Sequence, residues 1–404
     1  MEPVTHLLTG ACLSRTGLNR RAAYATLTMA AAAEFPDIDT VWSLRGPIEG
    51  FQHHRGITHT FLGLPFEAAL IVACVYGWHR WRLRRAAKTA AERPPDPRRT
   101  TKPLTAAPVR WGVLYGLALV ALLSHLLLDY TNNYGLRPFF PFNDKWYAAS
   151  IVFIFDPVMF VLLLGALIAP WIFGLVGSEV GAKKQPFQAR SWAIAALLGV
   201  LGWWTLREVE HGHAVQLAMA QSMVAPATPD SEPTDQESAR PETGVAGGES
   251  VAPPEATPTY LLAQRALVSP SPLDPFHWSA ATDFGQIYQL SEIDTRTSSV
   301  TAGDTTYPKP DRSPAVLAVE ESMLGRAYLD WSSMPILDVT KPDSQLAGSM
   351  RDDRDAVAKV VTFRDPRFMG DWMREGGRSA PTGTVSLNVA GQVVRETMDG
   401  RVER

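Results

Sequence analysis

The sequence has little cysteine and little net charge. Cys12 and Cys74 are the only thiols in 404 residues, and both fall in apolar stretches. That excludes a disulfide framework and a zinc ribbon, so the two read as small buried hydrophobes. The net charge is only -3, which argues against nucleic acid as a main partner. The first apolar stretch has neither a basic start nor a small-residue cleavage site, so a cleavable signal peptide is not expected. No internal repeat is visible.

What is present divides into two unlike halves. Residues 1–206 are rich in Leu, Ala, Val, Ile and Trp, and residues 207–404 in Asp, Glu, Ser, Thr and Pro. The expected fold class is an all-α polytopic membrane domain (1–206), a helical extension and a disordered Pro/Glu/Ser-rich linker (207–259), and a small mixed α+β, strand-rich soluble domain (260–404). Apolar runs at 62–78, 111–128, 151–176 and 192–206 are the candidate spans. Those at 4–13 and 22–33 are shorter than the ~20 residues a spanning helix needs. Alternate loops carry unequal basic charge. Loops 15–21, 79–110 and 177–191 hold sixteen Lys and Arg, and loops 36–61 and 129–150 hold four. The basic loops are therefore expected on the cytoplasmic side, and the C-terminal domain outside it.

The other side then receives most of the chemistry-bearing residues. Asp37 and Asp39 follow Pro36, and their alternating spacing lets both carboxylates of an extended loop point one way, toward a metal or as ligand and base. An Asp in a turn also commonly caps the next helix. In the stretch HHRGITHT, His54 and His59 suit a metal, and Arg55 suits a substrate anion held by its fork of donors. Thr58 suits a partner that orients an imidazole. A solvated basic loop is the plainer alternative. His125 and Asp129 are four apart on a helix and share a face. That pair fits one ion or a buried hydrogen bond locking two helices. Asp156 precedes Pro157 inside an apolar run, where an unpaired carboxylate is costly, so it either supports the site or satisfies a broken helix.

Taken together, THLLTG, PDIDT, HRGITHT, HLLLDYTNNYG, RPFFPFNDKW and IFDPVMF resemble the YdjM-type inner-membrane proteins, a family described as metal-dependent hydrolases. The motifs cover roughly residues 1–165. The resemblance implies placement in the inner membrane as a multi-pass protein. It also implies His6, Asp37, Asp39, His54, His59, His125 and Asp129 as ligands or catalytic groups.

The expected activity is metal-assisted hydrolysis of an ester or phosphoester in a small-molecule or lipid-like substrate at the outer membrane surface. Asp39 would accept a proton and Arg55 would steady the substrate anion. Mixed His and carboxylate donors without thiolate suit zinc or manganese, as one or two ions, better than calcium. The alternative is a non-enzymatic membrane scaffold or regulator whose His/Asp cluster is structural. A carrier of ions or protons would need ionisable groups spread through the membrane depth, and here they crowd one side.

Overall fold

The computed structural model describes residues 1–92, 104–105, 107–179, 189–224, 260–342, 356–370 and 381–403. Most of the expected linker, from 225 to 259, lies outside the described residues.

The N-terminal region is helical. α1 (Pro3–Arg15) starts where the Glu2 carboxylate accepts the backbone N–H groups of Val4 and Thr5, and α2 (Ala25–Glu34) folds back on it. Small residues let the two helices touch. A Cβ placed on Gly10 would lie 2.5 Å from the Met29 carbonyl oxygen and 2.7 Å from Ala33 Cβ. Gly10→Ala would gain up to ~1 kcal/mol of helix propensity, but the contact with backbone leaves it no room. Gly10→Val should therefore destabilise the protein by ~1–3 kcal/mol through overpacking. Thermal unfolding in detergent should show the lower midpoint.

The segment expected as a loop after α2 is ordered as helix. A 3-10 helix runs over Phe35–Leu44, α3 over Pro47–His53, and a further 3-10 turn over Ile57–His59. Prolines at the starts of the first two set φ for a helical first turn without losing a needed N–H. Four longer helices follow: α4 (Leu64–Ala91), α5 (Trp111–Thr131), α6 (Pro157–Glu179) and α7 (Ala189–Met219). The apolar run at 151–176 does not form one helix, because Asp156 Oδ1 accepts Met159 N–H and caps α6 from there. Residues 151–152 instead hydrogen-bond to the Thr131 carbonyl at the end of α5. Two apolar cores hold the region, one shared by α2, α4 and α5 and the other by α1, α6 and α7. Cys12 is buried in the second, whereas Cys74, expected inside, is exposed on α4.

Among the described residues, α5 alone is long and apolar enough to cross a membrane by itself. The pair Pro47–His59 and Leu64–Thr89 passes only jointly, bent by 87°. The basic ends gather together: Arg15 donates to the Leu167 carbonyl, Arg190 lies beside Gly17, and Arg82 donates to the Tyr24 hydroxyl. The N-termini of α1, α4 and α6 and the C-termini of α2 and α5 meet at the opposite end.

The C-terminal region is strand-rich. A short ladder, β1 (Ser222–Val224) with β2 (Tyr260–Leu262), ties it to the end of α7. β3 (Arg265–Pro270), β4 (His277–Asp283), β5 (Ile287–Asp294) and β6 (Ser299–Pro308) form an antiparallel meander. Ala214 and Ala218 of α7 pack against Val268, Trp278, Ala280 and Ile293 of that sheet. α8 (Pro314–Glu320) and α9 (Met323–Trp331) then cover a second antiparallel sheet. Its strands are β7 (Ile336–Thr340), β8 (Val357–Arg364), β9 (Gly383–Asn388), β10 (Val393–Met398) and β11 (Arg401–Val402), in sequential order.

The two regions are fastened at the site end. Ile48, Tyr134 and Phe153 enter the core beneath α8, α9 and the second sheet. Arg207 of α7 is fully buried and donates to the carbonyls of Ile151, Ser271 and Asp274.

Candidate metal centre

Four side chains from three parts of the helical region point at one spot. Asp37 comes from the 3-10 helix after α2, His59 from the turn before α4, and His125 and Asp129 from adjacent turns of α5. One donor atom from each lies within 4.8 Å of all the others. His59 Nε2 is 3.1 Å from His125 Nε2, 3.3 Å from Asp37 Oδ1 and 3.4 Å from Asp129 Oδ2. His125 Nε2 is 3.5 Å from Asp129 Oδ2 and 3.7 Å from Asp37 Oδ1. Zinc–ligand bonds of about 2.0–2.2 Å would set tetrahedral donors roughly 3.3–3.6 Å apart. The observed spacings straddle that range.

The tautomers agree. His125 Nδ1 lies 2.7 Å from the Ala33 carbonyl, which can only accept, so the proton is on Nδ1 and the Nε2 lone pair faces the cluster. His59 Nδ1 sits 3.3 Å from Asp39 Oδ2 and 3.1 Å from the Thr58 hydroxyl, which turns its Nε2 inward as well. Two imidazole lone pairs 3.1 Å apart repel unless a proton or a cation lies between them. Asp129 Oδ2, between the same two rings, is buried without a hydrogen-bond partner. A buried unpaired oxygen is costly, and a cation would satisfy it. These residues fit a divalent ion.

His6 adds to the wall. Its ring stacks on His125 at 3.7 Å between centroids, and its Nε2 is 3.5 Å from Asp129 Oδ1. Neither of its buried ring nitrogens has a hydrogen-bond partner. The Met1 amino group also contacts Asp129 Oδ1. A second, adjoining group consists of Asp37, Asp39 and His54. His54 Nδ1 is 3.2 Å from Asp39 Oδ1, and the His54 side chain is 29 % exposed, the most open of the set. Burial works to raise the Asp39 carboxyl pKa, but hydrogen bonds from His54 and His59 overcome it and hold it well below the usual range. A carboxylate so stabilised is a weak proton acceptor.

Arg55 does not lie open to a substrate. It is 3 % exposed, with one guanidinium nitrogen 2.8 Å from Asp129 Oδ1 and the other donating to Asn132 Oδ1 and the Gly135 carbonyl. Its backbone N–H donates to Asp39 at 2.7 Å, and its φ of 55 places it in the left-handed region. Arg55 therefore ties the two carboxylates together. Thr58 contacts both Asp39 and His59. Asp156 goes elsewhere. It is spent on capping α6 and on accepting the Trp203 indole N–H at 2.9 Å, because a proline-started helix needs a cap.

Sequence reasoning passed over the residues that hold Arg55. Asn132 Oδ1 accepts the N–H groups of Tyr134 and Gly135, and the Tyr134 ring lies 4.7 Å beneath the guanidinium. Their signal was position, three to six residues beyond Asp129 in the motif HLLLDYTNNYG. Glu34 was also missed. Burial first, then the charges of Asp37 and Glu2, push its carboxyl up to about 7.

The chain is 28 % identical over 144 residues to Uncharacterized protein YfhP of Bacillus subtilis (strain 168), a stretch covering 36 % of each chain. The chain thus spans about a third of that relative's length in the matched region. No solved structure matches. The family described as YdjM inner membrane protein matches residues 1–220, which contain every donor above. The chain belongs to the YdjM inner membrane protein family.

Proposed function

We propose that the protein is a membrane-embedded, metal-dependent hydrolase of an ester or phosphoester at the outer face of the inner membrane. The observation that carries this reading is the convergence of Asp37, His59, His125 and Asp129 with inward lone pairs and an orphaned carboxylate oxygen. Zinc or manganese suits the donor set. The adjoining group of Asp37, Asp39 and His54 allows a second ion that shares Asp37.

A divalent ion held there supplies Lewis acidity and a lowered pKa for water. The chain's own residues do the rest. Asp39 and the Ala33 carbonyl fix the rings of His59 and His125, and Arg55 fixes Asp129. His54, paired with Asp39 and partly open, is better placed than Asp39 itself to take up a proton.

The two ends of the helical region support a placement. In this reading α4 to α7 cross the membrane, and α1 and α2, of 13 and 10 residues, form a hairpin packed inside the bundle. The centre lies at the end away from the basic loops, so it faces outward, and the strand-rich region sits on the same side.

Metal analysis of protein purified in mild detergent should find at least one zinc or manganese per chain. The His59→Ala, His125→Ala double variant should hold less than a tenth as much. Lowering the pH should release the ion, because the two imidazoles must be deprotonated to bind it. Full metal content in the double variant would refute the scheme.

A further inference from the structure

Of the residues grouped at the centre, His54 borders open space. A cavity of about 810 Å3 lies between the helical region and the β10–β11 hairpin, with His54 and Tyr134 among its lining residues. That volume is within the range of small-ligand sites. Its walls are of two kinds. Leu44, Phe51, Met398 and Val402 give an apolar lining drawn from both regions. Arg401 lines it too, and among the described residues its guanidinium has no ion pair or side-chain hydrogen bond. Two acids are near, Asp399 and Glu403, and each is engaged by backbone, Asp399 accepting Thr382 N–H at 2.9 Å and Glu403 accepting Ile48 N–H at 2.7 Å. The cavity thus offers a guanidinium free of ion pairs beside apolar side chains and the hydroxyls of Thr40 and Ser43.

A second feature gives the apolar lining a direction. Ile38, Val41 and Leu44 recur every three residues on a 3-10 helix, so they fall along one edge. They are 54 %, 55 % and 79 % exposed, while Asp37 and Asp39 of the same helix turn inward. The edge runs outward from the cavity, with Leu44 shared by both. A wholly water-soluble substrate would give such an edge no use, and an uncharged one would leave Arg401 idle.

We infer that this cleft binds an anionic amphiphile, a phosphoester head with an apolar chain. The head lies toward His54 and Arg401, and the chain lies along Leu44 and Val402 and leaves over Val41 and Ile38. This deepens the hydrolase reading by naming its substrate class, and rests on that reading only for which bond would react. Arg401 sets specificity by charge, and the hairpin of the strand-rich region supplies half of the recognition surface.

The test is calorimetric binding to the full chain in nanodiscs, with and without zinc, using three probes: dihexanoyl phosphatidate, glycerol 3-phosphate and dihexanoylglycerol. Phosphatidate should bind at least tenfold tighter than either other probe. Arg401→Glu should weaken phosphatidate tenfold or more and leave dihexanoylglycerol unchanged. Leu44→Asp should bring phosphatidate down to the level of glycerol 3-phosphate. Both substituted positions are on the surface, so the variants should fold as the parent does. Equal binding of phosphatidate and glycerol 3-phosphate, or phosphatidate binding indifferent to Arg401→Glu, would overturn the inference. Selective phosphatidate binding without any turnover would uphold the cleft while refuting the hydrolase. Turnover of a soluble phosphoester without selective phosphatidate binding would overturn the cleft alone.

Discussion

Asp129→Asn should lose both the ion and much of the stability, whereas Asp37→Asn should lose the ion alone. Both carboxylates offer an oxygen to the same four-donor group. They differ in what else leans on them. Asp129 is fully buried, and its Oδ1 takes the Arg55 guanidinium at 2.8 Å. Neutralising it leaves a buried arginine without its counter-charge, which costs about 3–5 kcal/mol. Asp37 is 12 % exposed, and its contacts are the two imidazoles of the centre. Asp37→Asn should therefore keep its unfolding midpoint within a few degrees of the parent while metal content falls to less than a tenth. Metal analysis and thermal unfolding on the same detergent preparations read both effects. If Asp37→Asn retained full metal and lost stability instead, the cluster would be structural, as the scaffold alternative requires.

The contrast also explains which parts of the centre the sequence disclosed. Donor identity is a property of residue type, and PDID, HRGITH and HLLLD name their donors openly. The helix that carries His125 and Asp129 follows from hydropathy, but the 3-10 segments that carry Asp37 and His59 were expected as loop. Where each side chain turns depends on contacts distant in sequence. Arg55 looked free for a substrate because no acid lies within five residues of it; its main partner is 74 residues away, on α5. Asp156 looked like a member of the site because a carboxylate in an apolar run demands a partner, and the partners it found were Met159 N–H and the Trp203 indole. The strand-rich region was legible as strand-rich, from short apolar runs broken by Pro, Gly and Asp. Its approach to the centre was not, because no local pattern links Trp331, Arg367 or Arg401 to residues 37–135.

That approach leads to the other large effect. Arg367 is 9 % exposed and held by Asp365 through paired contacts, with its guanidinium 4.4 Å from the centre of the Trp331 ring. From there it donates to the carbonyls of Asn133 and Tyr134, and Trp331 donates to the Tyr134 carbonyl at 3.2 Å. The segment so clamped is the one that grips Arg55 through Asn132 and Gly135, and Arg55 in turn grips Asp129. Arg367→Ala should cost about 3–5 kcal/mol, since it strands Asp365 in the interior. It should also weaken zinc binding on the order of tenfold, the scale seen when partners that orient ligands are removed. The two effects separate in the double variant Arg367→Met, Asp365→Leu. Removing both charges with volume kept should restore most of the stability, yet the carbonyls of Asn133 and Tyr134 still lack the arginine. Zinc titration of that variant should remain about tenfold weaker than the parent. Recovery of full affinity would show that the strand-rich region stabilises the fold without setting the geometry of the centre.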